Sequence, residues 1–192
     1  MAVVSDEVKD IVEMIARGYS RLLPHVTATP GSDTLEFIEF IEDIDDLNDS
    51  DLIDMLASWA GLSYDDFKRI WDDLLDSEKN EVLDAVVYRM AVAGFEELLR
   101  RIATASYVRK NWDVRKKIID MAKKYVRGKI DLDDLSEGIV DVLWGTEKDT
   151  ELGKRYIWDF WSGITLNNYI DEETVKELVR KYLIEELEAP WI

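Results

Sequence analysis

Two pairs of acidic side chains have a spacing that could hold a metal ion. Glu36 and Glu39 are three residues apart, and so are Glu81 and Asp84. Residues three apart share a helix face. Two such helices brought together would present four carboxylates to Mg²⁺, a cation that takes oxygen ligands. Composition closes most other chemistries. The chain has no cysteine, which excludes disulfides, thiolate metal sites and thiol catalysis. Its single histidine, His25, follows Leu22-Leu23-Pro24 in what reads as a helix-exit loop. One imidazole cannot build a histidine-rich zinc site or a di-iron bundle, and in such a loop a capping or solvent-facing role is expected. No glycine-rich phosphate loop, dinucleotide fingerprint or nucleophile elbow is present.

The second constellation is basic. Eleven lysines and arginines fall between Arg100 and Lys129 in a chain whose net charge is −18. Residues 1–90 carry 22 acidic and 7 basic side chains, and residues 131–192 carry 16 and 6. Residues 91–130 reverse this balance, with 4 acidic and 11 basic. A helix over 111–129 would place Lys116, Lys123 and Arg127 on one face, opposite Val114, Ile118, Met121 and Tyr125. Together with Arg109, Lys110, Arg115, Lys117 and Lys124, these residues form a ridge that could track phosphates, with Trp112 stacking beside it. The same cations can instead pair with the chain's own 42 carboxylates or with those of a neighbouring copy. Distant carboxylates repel a polyanion, which favours pairing with protein. Trp158, off the inward face of an aromatic-rich helix, and Trp191 near the C-terminus are candidate interface anchors.

The elements that must position these residues are helical nearly throughout. Val8, Ile11, Val12, Ile15, Tyr19 and Leu22 form a first stripe, with Ser5 as N-cap; this helix, 5–23, precedes a loop over 24–33 and could move. Asp33 with Glu36 resembles a capping box before Leu35, Ile38, Ile41 and Ile44. Ser50, Ser63 and Ser77 are expected N-caps of the next three helices. The third of these runs through Val82, Val86, Met90, Ala93 and Ile102 to Val108, with Gly94 as a kink or a close contact. Asn111 or Asp113 opens the basic helix and Gly128 ends it. Asp131 opens a helix ended by Gly145. A tryptophan-rich helix over 152–163 precedes an extended link or single strand over 164–170, and Asp171 caps the last helix before Pro190. The expectation is one all-α domain over 1–192, a multi-helix globular bundle of about eight to nine helices.

The pairs Glu36-x-x-Glu39 and Glu81-x-x-Asp84 resemble the all-α nucleoside triphosphate pyrophosphatases, the MazG and dimeric dUTPase group. That resemblance implies a Mg²⁺-dependent pyrophosphatase built on these four carboxylates. The chain departs from the pattern in the 41 residues that separate Glu39 from Glu81 and in lacking basic residues at matching phosphate positions. Asp45-Asp46-Leu47-Asn48-Asp49 and Asp72-Asp73-Leu74-Leu75-Asp76 each spell the aspartate pattern of prenyl-diphosphate enzymes, but those need a far larger helical cavity and a second metal motif.

Glutamine is absent, asparagine occurs five times, and charged residues make up 34% of the chain. This composition is typical of heat-adapted proteins, and a hyperthermophilic archaeon, or its virus or plasmid, is the expected source. No apolar run approaches the roughly 20 residues that span a bilayer, and the acidic N-terminus is unlike a signal peptide. A cytoplasmic or virion location is expected. The functional expectation is a non-enzymatic interaction or assembly protein without a cofactor. It would associate with itself through the basic belt and aromatic anchors. The alternatives are nucleic-acid association through 111–129 and the Mg²⁺-dependent pyrophosphatase.

Overall fold

A computed structural model of the protein describes residues 6–20, 47–144 and 170–190. Among them are eight α-helices and no strand, as the apolar spacing predicts. The helices are α1 (Asp6–Ser20), α2 (Asp49–Ala60), α3 (Tyr64–Asp72), α4 (Asp76–Thr104), α5 (Ser106–Lys110), α6 (Trp112–Val126), α7 (Leu132–Trp144) and α8 (Glu172–Val179). α8 continues into a π-helical segment over Arg180–Glu186. The expected helices around 35–44 and 152–163, the link over 164–169, the loop 24–33 and Gly145 lie outside the described residues.

Short polar side chains set most helix starts, because they satisfy amide hydrogens that the helix itself cannot. Ser63 Oγ accepts from Asp66 N at 3.2 Å, Asn111 Oδ1 from Val114 N at 3.2 Å, and Asp171 Oδ2 from Thr174 N at 3.1 Å. At Asp131 the capping is reciprocal: its Oδ1 accepts from Asp134 N at 2.8 Å, while its own amide donates to Asp134. Two starts differ from the expectation. α2 is capped by Asn48, not Ser50, through a 2.8 Å bond from Asp51 N. α4 begins at Asp76 rather than after Ser77, and its Leu75 amide donates to Glu78 Oε1 at 3.0 Å. Gly61 and Gly128 end α2 and follow α6 with φ of 73° and 74°, a left-handed conformation that costs other residues about 1–2 kcal/mol.

α4 is the spine. Its 29 residues span about 44 Å at 1.5 Å per residue. α1 packs on α4 and on α2, and α2 in turn packs on α3. α4 also takes α8 and the π-helical segment, which pack against α6 as well, and α6 packs on α7. Gly94 sits buried within α4, which continues through it unbroken. The helix stops at Thr104, whose hydroxyl donates to the Arg100 carbonyl at 2.9 Å. Ala105 then turns to ψ 130°, and α5 starts afresh, where the apolar stripe had suggested one helix as far as Val108.

Phe67, Leu56, Met90, Phe95, Leu99 and Ile118 are among the largest fully buried side chains of one continuous core. At Gly18 the backbone of α1 meets that of α2, and a Cβ there would stand 1.4 Å from the Trp59 carbonyl oxygen. Gly138 of α7 makes a similar approach to Met121, where a Cβ would stand 2.2 Å from the sulfur. This contact accounts for Met121, which is half-buried against α7 rather than central to the inward face of α6.

The C-terminal helix places Val175, Leu178 and Val179, then Tyr182, Leu183 and Leu187, in the core. Val179, Leu183 and Leu187 are four apart. At 3.6 residues per turn each such step passes a full turn by about 40°. The wider π turn over Arg180–Glu186 offsets this drift, and all three are buried. Two tyrosines tie this helix to the spine: Tyr88 Oη donates to Asp171 at 2.7 Å and Tyr182 Oη to Glu96 at 2.6 Å.

The bonds from Tyr88 and Thr174 hold the Asp171 carboxyl below its ordinary pKa of 3.8. A group whose folded pKa is depressed contributes stability above the unfolded value and loses it as pH falls through the folded value. Asp171→Asn is therefore expected to be less stable than the parent at neutral pH. The gap should close on acidification below the ordinary carboxylate range. Urea unfolding across a pH series measures it, and a gap that stays constant with pH would contradict the linkage.

Candidate interaction surfaces

α6 turns Val114, Ile118, Ile119, Ala122 and Tyr125 inward. The core face thus includes Ile119 and Ala122, which the expected stripe omitted. Burial pushes the Tyr125 hydroxyl up to a pKa of about 12, with Glu172 adding to the shift. The opposite face carries Trp112, Lys116, Lys117, Lys124 and Arg127, all exposed, with Lys123 half-buried at its edge. Lys116, Lys123 and Arg127 thus share a face. Asp113 and Asp120 stand on it too, within three or four residues of the lysines.

Cations of the belt meet different ends. Arg109 is turned inward, its side chain 5% exposed, with Nη2 3.6 Å from Glu186 Oε1. Lys123 Nζ lies 2.6 Å from Glu188 Oε1. Both acceptors belong to the end of the C-terminal helix. Arg100 pairs with Glu97 on α4. Arg115 lies over the Trp112 ring at 4.8 Å, a cation–π geometry. Trp112 itself is 59% exposed. Lys110, Lys116, Lys117, Lys124 and Arg127 form no ion pair among the described residues.

The carboxylate constellation is only half described. Glu81 is half-buried and Asp84 exposed on α4, while Glu36 and Glu39 lie outside the described residues, as do Trp158, Trp191 and His25. Among the described residues no three acidic or histidine side chains gather as a metal site would require.

A cleft of about 500 Å³ opens between α2, α3 and the start of α4. Asp49, Tyr64, Lys68, Trp71, Asp72 and Asp76 are among its walls. Lys68 Nζ is 2.7 Å from Asp72 Oδ2, and this partner raises the Lys68 pKa. Lys79 Nζ stands 5.9 Å from the centre of the Trp71 ring. In the turn between Asp72 and Asp76, Leu75 is 67% exposed. Sequence reasoning passed over this cleft. The available signal was Leu75 itself, an apolar residue beside Leu74 with acidic residues on both sides.

No protein family, no curated protein and no solved structure matches the chain. The likeness to the all-α pyrophosphatases therefore rests on the two carboxylate pairs alone. None of the described helices is long and apolar enough to cross a membrane.

Proposed function

We propose that this is a non-enzymatic interaction and assembly protein that associates with further copies of itself through the outward face of α6. One observation carries the reading. The belt already accepts carboxylates from a neighbouring helix at Lys123–Glu188 and Arg109–Glu186, while Lys116, Lys117, Lys124 and Arg127 remain exposed along the helix that Trp112 opens. A surface with an aromatic anchor and a rim of unsatisfied cations suits a carboxylate-rich protein partner. Another copy supplies one, since the chain's net charge is −18. Asp113 and Asp120, set among the lysines, interrupt the row of cations that a phosphate backbone would follow. The protein works without a cofactor, in the cytoplasm or a virion, and its composition suits a hyperthermophilic archaeal host.

The test is molar mass by light scattering over a range of salt. The parent is expected to exceed the monomer mass at low salt and to approach it at about 1 M, where charges are screened beyond roughly 3 Å. The Lys116→Glu, Lys123→Glu, Arg127→Glu triple variant is expected to be monomeric throughout. A parent that is monomeric at every concentration and salt would sink the reading.

A second reading has its own support: Trp112 carrying the Arg115 guanidinium is a platform on which a nucleic-acid base can stack. Fluorescent DNA and RNA added to the same samples decide between them. Binding that falls steeply with salt and disappears in the triple variant would make α6 a phosphate-binding face. Binding unchanged in that variant would clear the belt of this role.

A further inference from the structure

We propose that the acceptor for the basic face is the cleft between α2, α3 and α4 of a second copy. This rests on self-association through α6 and adds its receiving site. Three features of the cleft match the knob that Trp112 and Arg115 make. Its walls carry Trp71 and Tyr64 among the carboxylates of Asp49, Asp72 and Asp76, the mixture that an indole with a guanidinium on its face requires. A cleft of about 500 Å³ falls in the range that takes small ligands and is roomy enough for this pair. Leu75 and Trp112 are two of the three large apolar side chains left exposed among the described residues, the third being Tyr88, and they sit one beside each surface.

Charge agrees. Residues 47–80 hold nine acidic and three basic side chains. Two of those three bases, Lys68 and Lys79, are occupied within the cleft by Asp72 and Trp71. The surplus carboxylates of α2 and α3 form an acidic rim for Lys116, Lys123 and Arg127.

The spine separates the two surfaces. Asp76 of the cleft is the first residue of α4, and Trp112 follows shortly after its last, Thr104. One helix, about 42 Å between those ends, holds knob and cleft apart, so a knob fills the cleft of another copy and not its own. The assembly closes as an antiparallel pair where each knob fills the other's cleft, and grows into a ring or a filament where the contact repeats head-to-tail.

Two variants that are each defective on one side provide the test. The acidic-side variant is Asp72→Lys, Asp76→Lys. The basic-side variant is Lys116→Glu, Lys123→Glu, Arg127→Glu. Each alone is expected to be monomeric at low salt. Mixed in equal amounts, they retain one intact knob and one intact cleft between them. The mixture is expected to give twice the monomer mass and nothing larger. Asp72→Asn, Asp76→Asn introduces no repulsion and reports on the same site if the lysine variant folds poorly by circular dichroism. It is expected to associate about tenfold more weakly, the loss of two exposed ion pairs.

A parent that assembles, with a monomeric basic-side variant and an acidic-side variant that assembles like the parent, would overturn the cleft and leave the α6 reading standing. Mixed variants that stay monomeric would also overturn it, because an intact knob and an intact cleft would then fail to join. A parent that never assembles would remove both.

Discussion

Gly18→Ala is expected to destabilise the protein by about 3 kcal/mol, the upper part of the range for overpacking, and to loosen α1 from the rest. The sign makes the experiment informative. Within an ordinary helix, alanine in place of glycine is favourable by about 1 kcal/mol. Here the added methyl would lie 1.4 Å from the Trp59 carbonyl oxygen, 2.3 Å from its carbon and 2.8 Å from its Cα. All three are backbone atoms, so no rotamer change clears the space, and the two helices must separate. Thermal unfolding measures the effect, and a variant as stable as the parent would mean that α1 and α2 do not approach so closely. Gly138 provides the contrast. Its nearest obstruction is the flexible Met121 side chain, which can swing aside.

Phe95→Ala is expected to cost more, about 3–5 kcal/mol, by the loss of transfer energy and the cavity left behind. For a chain of 192 residues this lowers the melting temperature by about 6–20 °C. Phe95 is fully buried on the spine, with Ala91, Leu98, Leu99 and Ile102 buried on the same helix. Urea denaturation is the measurement. A cost below about 1 kcal/mol, the scale of an ordinary surface change, would mean that the core closes over the gap and that the site is less tightly packed than its burial indicates.

The helical architecture was legible because an all-α chain writes its core at a simple period. Val8, Ile11, Val12 and Ile15, or Val82, Val86 and Met90, could face nowhere but inward. The caps at Ser63, Asp131 and Asp171 were legible for a chemical reason: a short side-chain oxygen at the right offset satisfies a bare amide. Asn48 was harder to read, because Ser50 two residues later is as good a cap by type, and only the geometry of the preceding chain chooses between them. The break at Ala105 could not be read. Thr104-Ala105-Ser106 contains no glycine or proline, and Ile102 and Val108 continue one apolar stripe across it.

Arg109 shows a different limit. By charge and position it belonged to the exposed ridge, but its side chain is buried, with Glu186, 77 residues later in the chain, 3.6 Å from its guanidinium. The cleft was missed for a similar reason. Its walls come from three helices, and no single stretch of sequence announces that Asp49 and Asp76 border the same space. The outward face of α6 was readable because it is one helix, and its Lys116, Lys123, Arg127 register follows from local geometry alone.

The π-helical segment has a consequence for how this chain can tolerate changes in length. A π turn closes its hydrogen bonds one residue further along than an α turn, so it holds one residue more. Deleting one residue between Arg180 and Glu186 is therefore expected to let the segment relax to an α-helix, with Leu187 still in the core and Glu188 still facing Lys123. The same deletion within α8 would rotate everything beyond it by about 100°. A segment that resembles a local irregularity thus acts as slack: it is the place in this helix where a residue can be lost while apolar register and charge register both hold.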